Sequence, residues 1–269
     1  MQVKPNELII LTNQKQQFKL FFTPEMEFSC HKGLIKFGKI LHYGELVFTN
    51  KNEYFLVIHP NSSDKMFKVN RSTTIVYPKD FGMIIMELGI TSGSKIVEIG
   101  TGSGASTFTL ANLVGEKGKI DTIDISPEKQ EKGKKNFARH SQFQNTEWHI
   151  KNLTHEKLDI PATEAVLVDI PEPWELIKSI RYLLKDGHPI GILCPSFEQV
   201  KITANALNEA GFTRIRCQEL LERKIFLRKN STRPADRMHG HTAFYIFAEK
   251  VADKDLESVL KLGIRQTIE

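Results

Sequence analysis

The sequence predicts an α/β protein in which a seven-stranded sheet follows a small β domain. Beyond Tyr77, short apolar runs alternate with segments of helical composition, the pattern of a sheet with helices packed on its faces. One of these runs ends in a glycine-rich turn that opens a helix. Before residue 70, turn residues separate the apolar runs instead. We therefore expect a small β domain at residues 1–70 and an α/β domain at residues 71–269.

Four short apolar runs define the N-terminal domain. Clusters of Asn, Gly, Pro and Lys separate them, which favours strands joined by turns. The runs are Glu7–Leu11, Phe18–Phe22, Leu46–Phe48 and Tyr54–Ile58.

Seven further runs predict the strands of the second domain. They are Lys95–Ile99, Lys119–Ile125, Thr146–Ile150, Ala165–Asp169, Pro189–Cys194, Phe212–Glu219 and Thr242–Ala248. Helices are expected between them, over Ala105–Val114 and Phe197–Ala210. Ser126 and Pro127 predict another helix start, because serine is a preferred N-cap and proline a preferred first helical residue.

The glycine-rich turn Gly100–Gly104 follows the strand Lys95–Ile99 directly. Glycine permits a positive φ and lets the backbone approach a ligand closely. Asp124 stands about twenty residues beyond the turn, where a carboxylate can bind both hydroxyls of a ribose. This spacing predicts a nucleotide site. Taken alone, however, any tight strand-to-helix connection can also need glycine.

The spacing of the glycines separates two classes of cofactor. A dinucleotide site uses Gly-x-Gly-x-x-Gly to hold a pyrophosphate at a helix N-terminus, and no glycine stands three residues after Gly102. The denser Gly-x-Gly-x-Gly pattern argues against a dehydrogenase. Asp124 is compatible with either class, so this inference depends on the glycines and on the segments that follow.

Asp169 ends the apolar run Ala165–Val168 and precedes Pro171 and Pro173. The two prolines oppose regular helix or sheet, so the carboxylate is expected at a strand's C-terminal tip. Open α/β sheets bind ligands at that edge, which makes Asp169 the candidate catalytic residue. In the alternative interpretation, Asp169 only caps the next helix.

Four segments together resemble one family of enzymes. They are Tyr77–Asp80, Glu98–Gly104, Asp169–Trp174 and Arg233–Thr242. In this order and at these separations they are similar to the tRNA (adenine-58-N1) methyltransferases, particularly the archaeal and bacterial single-gene forms. The resemblance covers most of the chain and includes Gly38–Tyr43 and Arg71 upstream.

The resemblance implies a fold, a reaction and partners. The fold is that of the class I S-adenosylmethionine-dependent methyltransferases, a Rossmann-like seven-stranded sheet whose last strand is antiparallel and inserted between its predecessors. The reaction is methyl transfer from S-adenosyl-L-methionine to N1 of adenosine 58 in the T-loop of tRNA, generally by a homotetramer. Whether the neighbouring adenosine is also methylated is left open.

Candidate site residues follow from the motifs and the resemblance. The catalytic candidate is Asp169. The cofactor-binding candidates are Tyr77, Gly100, Gly102, Ser103, Gly104, Ala105, Ser106, Asp124, Lys129, Asn152 and Asp169. The RNA-binding candidates are Arg71, Arg233, Arg237 and His241.

Three positions depart from the family pattern. Thr74 stands where a glutamine is usual, which puts that contact in doubt. Asn152 replaces an acidic residue, and its amide can still hydrogen-bond an adenine edge without contributing charge. Asp124 replaces a glutamate, with a shorter reach to the same hydroxyls.

The charge of the chain is mildly basic. Its net charge is +5 and its isoelectric point is near 8.9, values compatible with an ordinary enzyme as well as with a nucleic-acid-binding protein. A local excess of cations lies between residues 214 and 237 and can follow a phosphate backbone, although a solvated loop is the alternative. Its members are Arg214, Arg216, Arg223, Lys224, Arg228, Lys229, Arg233 and Arg237.

The cysteines and the N-terminus bear on the compartment. Cys30, Cys194 and Cys217 have no metal-ligand spacing, and His239 and His241 have no suitable neighbours, so we predict no metal. We find neither a signal peptide nor an apolar run of the ~20 residues that a membrane span needs. The sequence therefore predicts a cytoplasmic protein that does not bind membranes.

The sequence leaves two alternative functions open. A non-catalytic tRNA-binding subunit would keep the fold and lose the cofactor loop, but the glycine turn and Asp169 are both present. A methyltransferase for protein carboxylates or small molecules would use the same fold. The N-terminal β domain and the segment Arg233–Thr242 argue against that acceptor, because small-molecule enzymes do not need a basic extension.

Overall fold

A computed structural model describes residues 1–13, 15–71, 74–228, 230–238 and 240–262. These residues form two compact units. The first comprises Met1–Asn70 together with Ala138–His140, and the second comprises the other described residues. The division into independently folding domains at residues 1–70 and 71–269 stays a prediction.

The first unit is an antiparallel sheet with an added hairpin and helix. Its elements are β1 (Leu8–Thr12), β2 (Gln17–Phe21), β3 (Glu27–Cys30), β4 (Gly33–Lys36), β5 (Leu46–Phe48), β6 (Tyr54–Ile58) and α1 (Ser62–Lys68). The sheet has the order β2-β1-β6-β5, and β3 pairs with β4 in a separate hairpin. Ile9, Leu11, Phe55 and Val57 are fully buried in its core. The four runs read from the sequence all form strands.

The second unit is a seven-stranded sheet with helices. Its helices are α2 (Pro78–Glu87), α3 (Ala105–Val114), α4 (Pro127–His140, whose last turn groups with the first unit), α5 (Ile177–Ile180), α6 (Phe197–Glu209) and α7 (Leu256–Leu262). Its strands are β7 (Lys95–Ile99), β8 (Lys119–Asp124), β9 (Thr146–Ile150), β10 (Ala165–Val168), β11 (Pro189–Cys194), β12 (Phe212–Gln218), β13 (Ile225–Phe226), β14 (Arg233–Pro234) and β15 (Phe244–Lys250).

The strand order of this sheet is β12-β15-β11-β10-β7-β8-β9. Strand β15 is antiparallel to both neighbours, and the other pairs are parallel. This confirms the predicted fold class, including the inserted last strand. The chain builds outward from β7 through β8 and β9 and then places β10 on the other side of β7. The order therefore reverses between β7 and β10, where open α/β sheets bind ligands.

Local sequence explains where the helices begin. Ser126 accepts a hydrogen bond from the amide of Lys129, and Pro127 is the first residue of α4, as predicted. Ser196 and Gln199 form a capping box at the start of α6. The β13–β14 hairpin lies in the segment between β12 and β15 and was not predicted.

Candidate active site

The glycine turn and Asp169 lie side by side where the strand order reverses. The amide of Asp169 donates to the carbonyl of Ile99 over 2.8 Å, so the chain segments leaving β7 and β10 are hydrogen-bonded. Gly100 has φ of 101°, and a Cβ there would clash with the carbonyl of Asp169. Gly100 is therefore required for the close approach of two backbones, one of which carries the candidate catalytic carboxylate.

The rest of the turn is fixed against α4. Gly104 precedes α3 with φ of 74°, and a Cβ there would lie 2.8 Å from the carbonyl oxygen of Gly133. Ser103 is buried, and its carbonyl accepts from Asn136 over 2.9 Å. Ala105 is buried in the first turn of α3, and Ser106 follows it half-buried. These contacts hold the turn rigidly ahead of the α3 N-terminus.

Asp124 is buried at the end of β8, and backbone amides hold its carboxylate from both sides. Gly102 donates to Oδ2 over 3.1 Å, and Ser126 donates to Oδ1 over 2.9 Å. An ionised carboxylate can accept about four hydrogen bonds, so each oxygen keeps capacity for another donor. The geometry presents a fixed carboxyl group beside the glycine turn.

Glu98 places a third carboxyl group in the same region. It is fully buried, and its Oε2 accepts from Thr107 over 2.5 Å and from Thr122 over 2.7 Å. Burial raises the pKa of Glu98 to about 8, the two threonine hydrogen bonds oppose that rise, and the charges of Asp169 and Asp124 add to it. Its Oε1 is buried and has no hydrogen-bond partner among the described residues. The raised pKa favours the protonated form of this carboxyl group at neutral pH.

Asp169 directly follows β10, at the sheet edge where the strand order reverses. Solvent reaches its side chain, yet protein surrounds it on most sides, and this desolvation raises the pKa of Asp169 to about 6. A 3₁₀ turn follows at Pro173–Glu175 without a side-chain cap, so the carboxylate does not serve as the helix cap of the alternative interpretation. Asp169 is thus positioned to face a ligand.

A buried polar cluster lies beside these carboxyl groups. Thr242 donates to Asp80 over 2.8 Å, and Lys79 contacts Asp80 over 2.5 Å and Thr242 over 2.8 Å. Burial raises the pKa of Tyr245, and the charges of Asp80 and Asp169 and a hydrogen bond to Asp80 add to the rise. Lys79, Asp80 and Thr242 lie in the motif segments, but the sequence predicts no role for them, and it gives no signal for Tyr245. The cluster links α2 to the start of β15.

The other cofactor candidates lie at the start of α2, in the first turn of α4 and beyond β9. Tyr77 is the half-buried residue before α2, and its carbonyl accepts from the amides of Asp80 and Phe81. Asn152 lies beyond β9, and its Oδ1 accepts from the amide and hydroxyl of Thr154. Lys129 is exposed in the first turn of α4.

The RNA-binding candidates are exposed, but two are held by other side chains. Arg233 forms an ion pair with Asp236. His241 contacts Glu219 through Nδ1 over 2.6 Å and the carbonyl of Pro195 through Nε2 over 3.0 Å. Arg71 and Arg237 are exposed.

The described cations between residues 214 and 237 fall into two groups, those on β12 that pair with carboxylates and those after it that are exposed to solvent. Arg214 and Arg216 lie on β12 and pair with carboxylates of Glu249 and Glu87. The other described cations of the segment are exposed, namely Arg223, Lys224, Arg228, Arg233 and Arg237. Lys229 and His239 lie outside the described residues.

One acidic cluster has ligand atoms close enough to surround a cation. Atoms of Asp121, Glu147 and His149 lie within 4.8 Å of one another. Lys119 contacts Asp121 over 3.4 Å and Glu147 over 3.0 Å and compensates their charge. An ion-pair network accounts for this cluster. Within the described part of the chain, no helix is both long and apolar enough to cross a bilayer.

Comparison with known proteins identifies the family. The model of the tRNA methyltransferase complex GCD14 subunit family matches residues 53–239. The chain belongs to this family. A relative of this chain is the tRNA (adenine(57)-N(1)/adenine(58)-N(1))-methyltransferase TrmI of Methanocaldococcus jannaschii, 32% identical over 84% of this chain and 92% of that one. Another is the tRNA (adenine(58)-N(1))-methyltransferase TrmI of Thermus thermophilus, 28% identical over 90% and 96%.

Solved structures agree with the family in fold. The chain superposes on a SAM-dependent O-methyltransferase from Thermotoga maritima with a TM-score of 0.86 and 29% identity, covering 93% of this chain and 95% of that one. It also superposes on the tRNA (m1A58) methyltransferase TrmI from Aquifex aeolicus with a TM-score of 0.81 and 25% identity, covering 93% and 99%. The predicted methyltransferase fold and the predicted resemblance are both confirmed.

Proposed function

We propose that this chain transfers the methyl group of S-adenosyl-L-methionine to N1 of adenosine 58 in the T-loop of tRNA, in the cytoplasm and as a homotetramer. Membership of the tRNA methyltransferase family supports the reaction and the substrate. The observation that carries the proposal is the position of Asp124 and Asp169 beside the glycine turn, where the strand order reverses.

The carboxylates of Asp124 and Asp169 favour a cationic cofactor. S-adenosyl-L-methionine has a sulfonium and an ammonium group against one carboxylate, so its net charge is positive, whereas a dinucleotide has a pyrophosphate that the carboxylates would repel. A bound cation would lower the pKa of Glu98 and favour its ionised form, and the buried Oε1 of this side chain has no hydrogen-bond partner among the described residues. The residues present therefore fit this cofactor.

The roles of the binding residues follow from their positions. Asp124 would accept from the ribose hydroxyls, since each of its oxygens keeps acceptor capacity. The turn Gly100–Gly104, with Ala105 and Ser106, would form the wall along the cofactor. Asn152 would bind the adenine edge, with Lys129 and Tyr77 at the margins of the site. When bound, the cofactor supplies a methyl group already activated by the sulfonium charge.

Asp169 is proposed to act on the adenine ring of the substrate. N1 of adenine is a poor nucleophile, and its alkylation gives the ring a positive charge. A carboxylate that accepts a hydrogen bond from the exocyclic amine would orient the ring and stabilise this charge as it develops. The product ring keeps the positive charge, so methyl transfer to N1 itself requires no proton acceptor. The adenosine must first leave its stack, at a cost of a few kcal/mol.

The test is methyl transfer from labelled cofactor to an unmodified tRNA transcript, with the product nucleoside identified. We expect 1-methyladenosine that disappears when adenosine 58 is replaced. A second transcript with the neighbouring adenosine replaced measures whether position 57 is also used, as the name of the M. jannaschii relative indicates for that protein. Native mass spectrometry of the same preparation tests the homotetramer.

A second candidate is methyl transfer to another acceptor. The similarity to a structure titled SAM-dependent O-methyltransferase favours it. Cofactor binding by the wild-type protein without transfer to any tRNA would support this candidate or the non-catalytic subunit. Transfer that Asp169→Ala abolishes would contradict the non-catalytic subunit.

A further inference from the structure

The sheet edge that carries Asp169 also carries an exposed aromatic ring, Phe197, to which the proposed reaction gives no role. Phe197 is the first residue of α6 and is 70% exposed. Its ring packs on that of Phe244, with centroids 4.3 Å apart and an angle of 30° between the planes. Phe244 is only 9% exposed. A buried ring therefore supports Phe197 while most of its surface meets solvent.

Phe244, on which Phe197 packs, is in turn in contact with a third ring. The ring of His241 packs on Phe244 with centroids 4.6 Å apart. Acceptors stand at both ring nitrogens of His241, a carboxylate oxygen of Glu219 and the carbonyl of Pro195, so the imidazolium form donates two hydrogen bonds. The hydrogen bond to Glu219 raises the pKa of His241. Phe197, Phe244 and His241 form what we call the ring stack.

The ring stack is tied to the segment that carries Asp169. Gln199, in the first turn of α6, donates from Nε2 to the carbonyl of Pro171 over 3.1 Å. Pro171 stands two residues after Asp169. Strands β10 and β11 are adjacent and parallel, so Asp169 and Phe197 follow neighbouring strands at one edge of the sheet. An aromatic surface and the candidate catalytic carboxylate thus occupy the same edge.

We propose that Phe197 is a stacking platform for a nucleobase of the tRNA T-loop, at or next to the methylated adenosine. This inference rests on the proposed function. Every nucleobase has a π-face that stacks on an aromatic side chain, and a target base that leaves its own stack loses such contacts. The Phe197 ring, supported by Phe244 at the sheet edge that carries Asp169, replaces one of the stacking contacts that the base has lost. Removal of such a ring weakens binding of the nucleic acid by about 5- to 150-fold.

Phe197→Ala, Phe197→Leu and Phe197→Trp test the platform together. Leucine keeps apolar packing on Phe244 without a π-face, and tryptophan keeps the π-face. The matched control is Met86→Ala, which removes an 80% exposed side chain at the end of α2. Each protein is assayed for the KM of tRNA, kcat, the Kd of S-adenosyl-L-methionine and, separately, the Kd of tRNA by filter binding.

We expect the alanine and leucine variants to raise the KM and Kd of tRNA about 5- to 150-fold, with the tryptophan variant near wild type. The cofactor Kd and the Met86→Ala control should not change. Equal tRNA affinity in Phe197→Ala and wild type would overturn the platform, as would loss of the oligomer in Phe197→Ala, which would place the ring between copies. If the wild-type protein binds tRNA in a Phe197-dependent manner but does not methylate it, the platform stands and the proposed reaction fails.

Discussion

Replacement of Glu98 by glutamine should stabilise the cofactor-free protein, and the gain should grow with pH. The glutamine oxygen can accept the hydrogen bonds of Thr107 and Thr122, so the substitution removes the ionisable group and keeps the packing. Burial raises the pKa of Glu98 from 4.5 to about 8 in the folded protein. The folded state therefore binds this proton more tightly than the unfolded state does.

The sign and size of the effect follow from proton linkage. The protonated carboxyl stabilises the fold fully below pH 4.5, and this contribution is lost as the pH rises from 4.5 to about 8. One pKa unit corresponds to about 1.4 kcal/mol, so the loss is on the order of 3 kcal/mol between pH 5 and pH 8. Glutamine has no such dependence.

The assay is urea unfolding of wild type and Glu98→Gln at several pH values between 5 and 8, without cofactor. Groups remote from Glu98 titrate equally in both proteins, so the difference in unfolding free energy reports Glu98 together with its coupling to Asp169 and Asp124. Glu209→Gln, at the exposed end of α6, is the control for removal of a surface charge. A difference that stays constant across this range would refute the assignment of a buried, protonated Glu98.

Three further outcomes are expected. Asp169→Asn should lower kcat about 10²-fold or more with little change in cofactor Kd. Wild-type kcat/KM should rise through pH 6, because the Asp169 carboxyl of the free enzyme has a pKa of about 6, and this rise should disappear in the variant. Equal loss of cofactor affinity would contradict the proposed role. Asp124→Ala should weaken cofactor binding about 10- to 100-fold in calorimetry, because hydrogen bonds to a charged group are lost; an unchanged Kd would place the ribose elsewhere. Gly100→Ala should lower both the unfolding free energy and kcat, because the alanine Cβ would clash with the carbonyl of Asp169. A fully active and equally stable variant would show that the segments after β7 and β10 separate freely.

The sequence predicted the elements whose signal is local. Apolar runs located all seven strands of the seven-stranded sheet, and the serine and proline at residues 126 and 127 located the start of α4. Asp169 was expected at a strand tip because a carboxylate and two prolines follow four apolar residues, and it directly follows β10. Each of these inferences needs only neighbouring residues, so tertiary contacts did not have to be known.

The parts that the sequence did not predict depend on contacts between distant segments. Asp80 and Thr242 are 162 residues apart and meet only because the fold brings the first turn of α2 to the residues just before β15. The ring stack joins Phe197 to residues more than forty positions later, and no periodicity marks those residues as partners. Gly100 illustrates the same limit. The sequence indicated a backbone close to a ligand, whereas the closest approach in the structure is to the backbone of Asp169.

Glu98 and Asp169 set the stability of the cofactor-free protein against its proposed function. Burial of Glu98 and Asp169 raises both pKa values, so the cofactor-free protein becomes less stable as these groups ionise. A bound cation reverses the balance, because opposite charge lowers both pKa values and favours the ionised forms. Cofactor binding should therefore release protons and stabilise the protein more at pH 8 than at pH 6. In this interpretation a positively charged ligand offsets the desolvation of Glu98 and Asp169, which favours S-adenosyl-L-methionine over phosphate-bearing cofactors.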